Sequence, residues 1–187
     1  MFDNVTKSIR VLSAGSVEKA NSGHPGMPLG MADVGTVLYK NFLKVTNNCP
    51  DWINRDRFVL SAGHGSALLY SLLHFNGFDI SIDDMKNFRQ LNSKTPGHPE
   101  LDTKLGIDIT TGPLGQGFAT GVGLALAESY LSNTFGDKII NHFTYGIVSD
   151  GDLMEGLSQE AAELAALWGL GKLFIYLTIT IFSLMGM

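Results

Sequence analysis

Apolar residues in the first stretch of the chain recur at helical spacing. Val5, Ile9, Leu12 and Val17 predict a helix from about Asp3 to Ala20. After the loop NSGHPG, the segment Pro28 to Phe42 again reads as a helix. The pattern changes in RFVLSAGHGSALLYSLLHFNG. Arg57 to Leu60 is a short apolar strand, the glycines form a turn, and a helix starts at about Ser66. In SIDD, Ser81 has the character of a helix N-cap. GQGFATGVGLALAESYL predicts a glycine-rich turn opening into a long buried helix. HFTYGIVSD predicts a strand that ends in a polar turn, and MEGLSQEAAELAALWGL a helix closing at Gly169. KLFIYLTITIF is β-rich. Strands that alternate with helices define an α/β domain, a mainly parallel sheet flanked by helices. In such sheets a ligand sits beyond the carboxyl ends of the strands.

Composition narrows the class without naming a function. The 187 residues, 44% of them hydrophobic, are enough for one globular domain with a sizeable core. A net charge of −5, with no cluster of Lys or Arg, argues against a nucleic-acid partner. The single cysteine, Cys49, excludes a disulfide framework. The N-terminal stretch mixes charges among its apolar positions and lacks a signal-peptide core, so a cytoplasmic location is expected. The longest apolar run, Leu173 to Leu184, is twelve residues, too short for a membrane span.

Candidate chemistry lies in the loops. Asp150, delivered by a strand into the turn SDGD, offers a hard carboxylate oxygen to a divalent cation. Gly151 lets backbone approach a ligand closely, and the amides of the following helix favour phosphate. The same string also reads as an ordinary strand-to-helix loop with acidic capping residues. Three histidines occupy small-residue loops: His24 in SGHPG, His64 in SAGHGS and His98 in PGHPE. Such imidazoles are accessible and can bond phosphate or hydroxyl oxygens near neutral pH. Their spacing is not that of a zinc site. His74 and His142 lack this setting and read as structural. TTGPLGQG is neither a dinucleotide fingerprint nor a Walker loop; it suits either a ligand cradle or close packing of helix on sheet. Glu155, Glu160 and Glu163 follow on a helix, where solvated charge is the ordinary state, and only Glu155 stands near Asp150. Met27, Met31 and Met154 read as core filling.

In order and spacing, ANSGHPGMPLGMADV, RDRFVLSAGHGSALLYSLLHFNGF, TPGHPE, GIDITTGPLGQGFATGVGLALAE and SDGDLMEGLSQEAAELA resemble the N-terminal part of the transketolases across about residues 5 to 172. That resemblance implies a thiamine-diphosphate-binding fold and two cofactors, thiamine diphosphate and Mg²⁺ or another divalent cation. It implies transfer of a two-carbon ketol unit from a ketose phosphate to an aldose phosphate, as in the pentose phosphate pathway, by a homodimer. Asp150 matches the family's metal ligand, and Gly151 belongs to the same signature. Glu155 matches a glutamate near the cofactor that couples paired subunits. His64 and Gly112, Pro113 and Leu114 match positions lining the cofactor's diphosphate and ring. His24 and His98 match histidines that face substrate hydroxyls, and with His64 they stand as catalytic candidates for proton transfer.

Three departures accompany the resemblance. Ser149 replaces the first Gly of the family's GDG, with Gly151 expected to supply the turn, and Gln159 stands where a His is common. About thirty residues after its signature Asp, the family carries an aromatic-Asp-Asp-Asn run whose Asn ligates the metal. Here Tyr176-Leu177-Thr178-Ile179-Thr180 occupies that place, and Thr180 could offer a hydroxyl in its stead. The expected organisation is therefore a partial family domain over 1–176 and an aberrant apolar tail over 177–187, for which a shifted reading frame is one account. A chain so built is expected to be inactive alone. A subunit of a split thiamine-diphosphate enzyme, or a non-catalytic remnant, are the alternative readings. The uncharged, proline-free LFIYLTITIF is an aggregation hazard if left uncovered.

Overall fold

The computed structural model describes residues 2–179. Three strands, β1 (Arg57–Leu60), β2 (Thr144–Ser149) and β3 (Leu173–Thr178), form one parallel sheet in the order β1-β2-β3. Arg57 pairs with Thr144 and Leu60 with Ile147 across the first ladder; Thr144 pairs with Leu173 and Ser149 with Thr178 across the second. β2 is buried along its whole length, as a central parallel strand must be. β3 is only half-covered, with Phe174 and Leu177 exposed.

Helices cover both faces. On one lie α1 (Phe2–Ala20), α2 (Gly26–Gly30), α3 (Ala32–Asn41) and α4 (Ser66–Phe75), which with α5 (Ile82–Lys86) build the larger core around Ile9, Leu38, Leu68, Leu72, Phe58, Leu60, Tyr145 and Ile147. On the other, α6 (Gln116–Phe135) and α8 (Gly156–Leu167) enclose Phe118, Val122, Val148 and Ala161. One turn of helix, α7 (Asp150–Met154), links β2 to α8.

The helix expected over Pro28–Phe42 is two helices, broken at Met31. α6 buries a single face (Gly117, Phe118, Gly121, Val122, Ala125 and Glu128), while Tyr130 is exposed, so it is amphipathic rather than wholly buried. Ser81 does cap α5: its Oγ accepts the Asp84 amide at 3.0 Å, and the Asp84 carboxylate accepts the Ser81 amide at 2.8 Å. Met27 and Met31 are buried as expected, but Met154 is 80% exposed and fills no core. Among the described residues no helix is long and apolar enough to cross a membrane. Leu177 and Thr178 belong to β3; the rest of the apolar tail from Thr180 onward, and the Thr180 hydroxyl, lie outside the described residues.

Candidate functional site

The carboxyl ends of β1 and β2 deliver the sequence candidates to one place. β1 runs through Ser61 and Ala62 into a single 3-10 turn, Gly63–Gly65, that carries His64; β2 ends at Ser149, one residue before Asp150. The link between them is Asp152, which is fully buried. Its Oδ1 accepts the Ser61 hydroxyl and the Gly115 amide, both at 2.9 Å. Its Oδ2 accepts the Ser149 amide at 2.9 Å and the Ser149 hydroxyl at 3.0 Å. Ser61 Oγ in turn accepts the Phe118 amide at 2.9 Å. One carboxylate thus ties the end of β1, the start of α6 and the end of β2. The two aspartates of SDGD divide the work, Asp152 capping α7 together with Ser149 while Asp150 stays free.

Ser149 is therefore a functional part of the turn rather than a tolerated substitute for glycine. Gly151, expected to supply the turn, lies within α7, and a methyl group there would sit at ordinary contact distance, 3.5 Å, from Leu114 Cδ1. The glycines that the geometry requires stand elsewhere. Gly115 has φ +80°, and a methyl group on it would meet Ser158 Oγ at 2.9 Å and Glu155 Cβ at 3.0 Å. A methyl on Gly117 would lie 2.5 Å from Ser61 Cα, so α6 lies directly against the end of β1. In Gly115–Gly117, then, the glycine string serves close packing, while Gly112, Pro113 and Leu114 remain half-buried or exposed beside the site.

Around this knot the candidates converge. The rings of His24 and His64 meet edge-on with centroids 5.2 Å apart. A methyl on Gly112 would contact the His98 ring at 3.6 Å, and one on Gly63 would meet Thr111 Oγ1 at 2.7 Å. Thr111 Oγ1 is itself buried and without a partner among the described residues. Leu114 adjoins Gly151, and Glu155 adjoins Gly115. Glu155 is exposed at the break between α7 and α8, and its side chain caps neither. Burial, then the neighbouring His24, lowers the pKa of His64; Asp152 and Asp150 oppose that shift. Burial also lowers His98, reinforced by the Arg89 cation and His24. Neutral imidazoles at pH 7 both donate and accept, which suits hydroxyl ligands and proton transfer.

His24 and His98 are exposed and His64 is half-buried, so these residues form an open wall rather than a closed pocket. A small cavity of about 10 Å³ between Tyr39, Phe58, Leu73 and Phe78 with Arg55 and Asp108 is far too small for a substrate and lies at the other end of β1. His74 and His142 are apart from the site, as expected. His74 Nδ1 lies 2.6 Å from Ile80 O, and His142 is buried with Nδ1 unpartnered among the described residues.

A parallel α/β domain that gathers a free aspartate, a glycine-rich helix start and three imidazoles at its strand ends is of the class that holds a phosphate-bearing cofactor. The chain belongs to the transketolase family: the thiamine diphosphate binding domain of transketolase matches residues 2–182. It is 57% identical over 171 residues to the transketolase of Bacillus subtilis, covering 90% of this chain and 26% of that protein. It superposes on the transketolase of Campylobacter jejuni with a TM-score of 0.95 at 50% identity, over 99% of this chain and 29% of that one. A transketolase of Pichia stipitis solved with sedoheptulose 7-phosphate gives 0.92 at 45% identity, over 97% and 27%. The chain thus spans a little over a quarter of the length of these relatives.

Proposed function

We propose that this chain is the diphosphate-holding part of a thiamine-diphosphate site in an enzyme that transfers a two-carbon ketol unit between sugar phosphates. The observation that carries the reading is the division of labour in SDGD. With Asp152 buried in the knot, Asp150 stands at the strand end with no side-chain hydrogen bond to a described residue, within the electrostatic reach of His64. Likeness to a relative solved with a seven-carbon sugar phosphate supports the substrate class.

The residues present fit a diphosphate-bearing cofactor. Gly112–Leu114 and the His64 turn supply close backbone, and the buried Thr111 Oγ1 is an unpartnered hydroxyl beside them. When bound, thiamine diphosphate supplies the electron sink for carbon–carbon cleavage. In our reading His64 orients the cofactor, His24 and His98 hold substrate hydroxyls, and the three move protons at those oxygens. A divalent cation fits less well. Asp150 is one hard oxygen ligand, but no group of three His, Cys, Asp or Glu able to hold a metal occurs among the described residues. An open histidine wall and a single cation ligand further support the reading that the chain alone does not turn over substrate, and that a homodimer or another polypeptide completes the site. A cytoplasmic location accords with sugar-phosphate chemistry.

Calorimetric titration of the chain with thiamine diphosphate, with and without Mg²⁺, tests this reading. Weak saturable binding, lost on competition with inorganic pyrophosphate, is the expected result. No heat of binding at millimolar cofactor would defeat it. Turnover of xylulose 5-phosphate with ribose 5-phosphate by the purified chain would defeat the claim of inactivity alone.

A further inference from the structure

Arg89 follows α5 in a turn that the site description does not use. Its backbone has φ +63°, a left-handed conformation that costs a residue bearing Cβ about 1–2 kcal/mol. The turn holds it there. The Arg89 amide donates to Thr95 O at 2.9 Å, and buried Thr95 donates through Oγ1 to Asp84 O at 2.7 Å. Strain kept in place by such bonds calls for a reason in the side chain.

The side chain lies between two glycines, each of which immediately precedes a candidate histidine. A methyl group on Gly97, the neighbour of His98, would meet Arg89 Nε at 2.9 Å and Cζ at 3.2 Å. One on Gly23, the neighbour of His24, would meet Arg89 Nη1 at 3.4 Å and the Phe88 ring at 3.1 Å. The half-buried guanidinium is paired with no carboxylate among the described residues. The Gly97 loop is otherwise tied to α4: Ser66 Oγ donates to Gly97 O at 2.8 Å, and Tyr70 Oη to Pro96 O at 2.9 Å. Among the described residues the turn around Gly23 has no such side-chain bond to α4; it rests on Phe88, Val17 and Arg89, and of these only Arg89 also reaches Gly97.

We propose that Arg89 is a positioning residue, its guanidinium packed against Gly23 and Gly97 so that His24 and His98 are held at one separation, facing a single hydroxyl-bearing ligand. The ligand side of this statement rests on the sugar-phosphate reading above; the positioning side does not. Arg89 is joined to Gly97 and Gly23 by shape, because a flat fork fits where an ammonium would not.

The test uses Arg89→Gly and Arg89→Lys in the full chain, with histidine ring spectra by ¹⁵N NMR and thermal melting. Glycine relieves the left-handed strain while deleting the wedge, so its Tm is expected within about 4 °C of the parent. Both variants are expected to shift or broaden the His24 and His98 ring signals while His74 and His142 stay unmoved. A general loosening of the fold would move all of them. Unchanged His24 and His98 signals in Arg89→Gly, or equal changes at His74 and His142, overturn the proposal. Titration of the parent chain with thiamine diphosphate is read separately. Its failure removes the functional reading and leaves the result on positioning intact.

Discussion

The two ends of the sheet carry the same kinds of residue in opposite circumstances. At the amino end, Arg55 pairs with Asp108 at 2.6 Å, with side-chain exposures of only 10% and 5%. Nearby, Asp56 accepts the amides of Lys44 and Phe143 at 2.7 Å each, and Lys172 donates to the buried Glu128 at 2.7 Å. Two atoms at that end, the buried Arg55 Nε and His142 Nδ1, have no partner among the described residues, but the carboxylates there are all met within the chain. At the carboxyl end, among the described residues, Asp152 is the aspartate that behaves in this way. Among the described residues Asp150, His24, His98 and the half-buried Arg89 guanidinium are left with few partners, or none. Paired charges at the amino end satisfy one another inside the fold. Unpaired ones at the carboxyl end are where, in the function proposed above, a ligand would complete the bonding.

The comparison breaks most visibly at Asp152. Asp152→Ala leaves the Ser61 hydroxyl and the Gly115 and Ser149 amides without their acceptor, and is expected to cost about 3 kcal/mol or more of stability. Urea unfolding measures it as a lowered midpoint at unchanged slope. A loss below about 1 kcal/mol would mean that the knot is not what joins the loops.

A smaller effect belongs to the amino end. Burial, with the cations Arg57, Lys172 and Arg55 adding to it and a backbone bond opposing, pulls His142 down to about 4. In the unfolded chain the ring titrates near 6.5. Between those values the unfolded state binds the extra proton, so the stability due to a neutral His142 is complete above about pH 6.5. It is lost as pH falls toward 4, by about 1–3 kcal/mol. Chemical denaturation at pH 7 and pH 5 should show the decline, and His142→Phe should flatten it. An equal decline in that variant would assign the acid limb to other groups.

The smallest stability change is expected where the functional change is largest. Asp150→Ala removes a carboxylate that holds no part of the fold, so its unfolding free energy should stay within about 0.5 kcal/mol of the parent. Binding of thiamine diphosphate in the presence of Mg²⁺ should nevertheless weaken tenfold or more. If stability drops as much as in Asp152→Ala, the division between the two aspartates is wrong.

Much of the framework was legible in local patterns. Arg57–Leu60 as a strand, Ser81 as a cap and the first helix over about Asp3–Ala20 follow from period, capping chemistry and glycine placement, which act over a few residues. The break at Met31 was not legible, because both halves of Pro28–Phe42 keep helical spacing and only packing on α4 decides where the axis turns. Met154 resembles a core residue by composition, yet α7 ends just there and leaves it in solvent. Asp152 carried a usable signal: Ser149 and Asp152 have the spacing of a capping box, which would have separated the structural aspartate from the free one. Arg89 carried none, since its left-handed backbone and its two glycine contacts exist only once distant turns have met.

Residue order alone was sufficient for the α/β class, for the family, and for the short strings at which ligand chemistry gathers, because each depends on neighbours within a few positions. The meeting of those strings needed the packed chain. Ser61, Gly115 and Asp152 are separated by tens of residues, and the hydrogen bonds that join them form only after the helices on both faces have buried the sheet between them. The capping role of Asp152 is local, but its tie to Ser61 and Gly115 is for that reason a property of the tertiary structure.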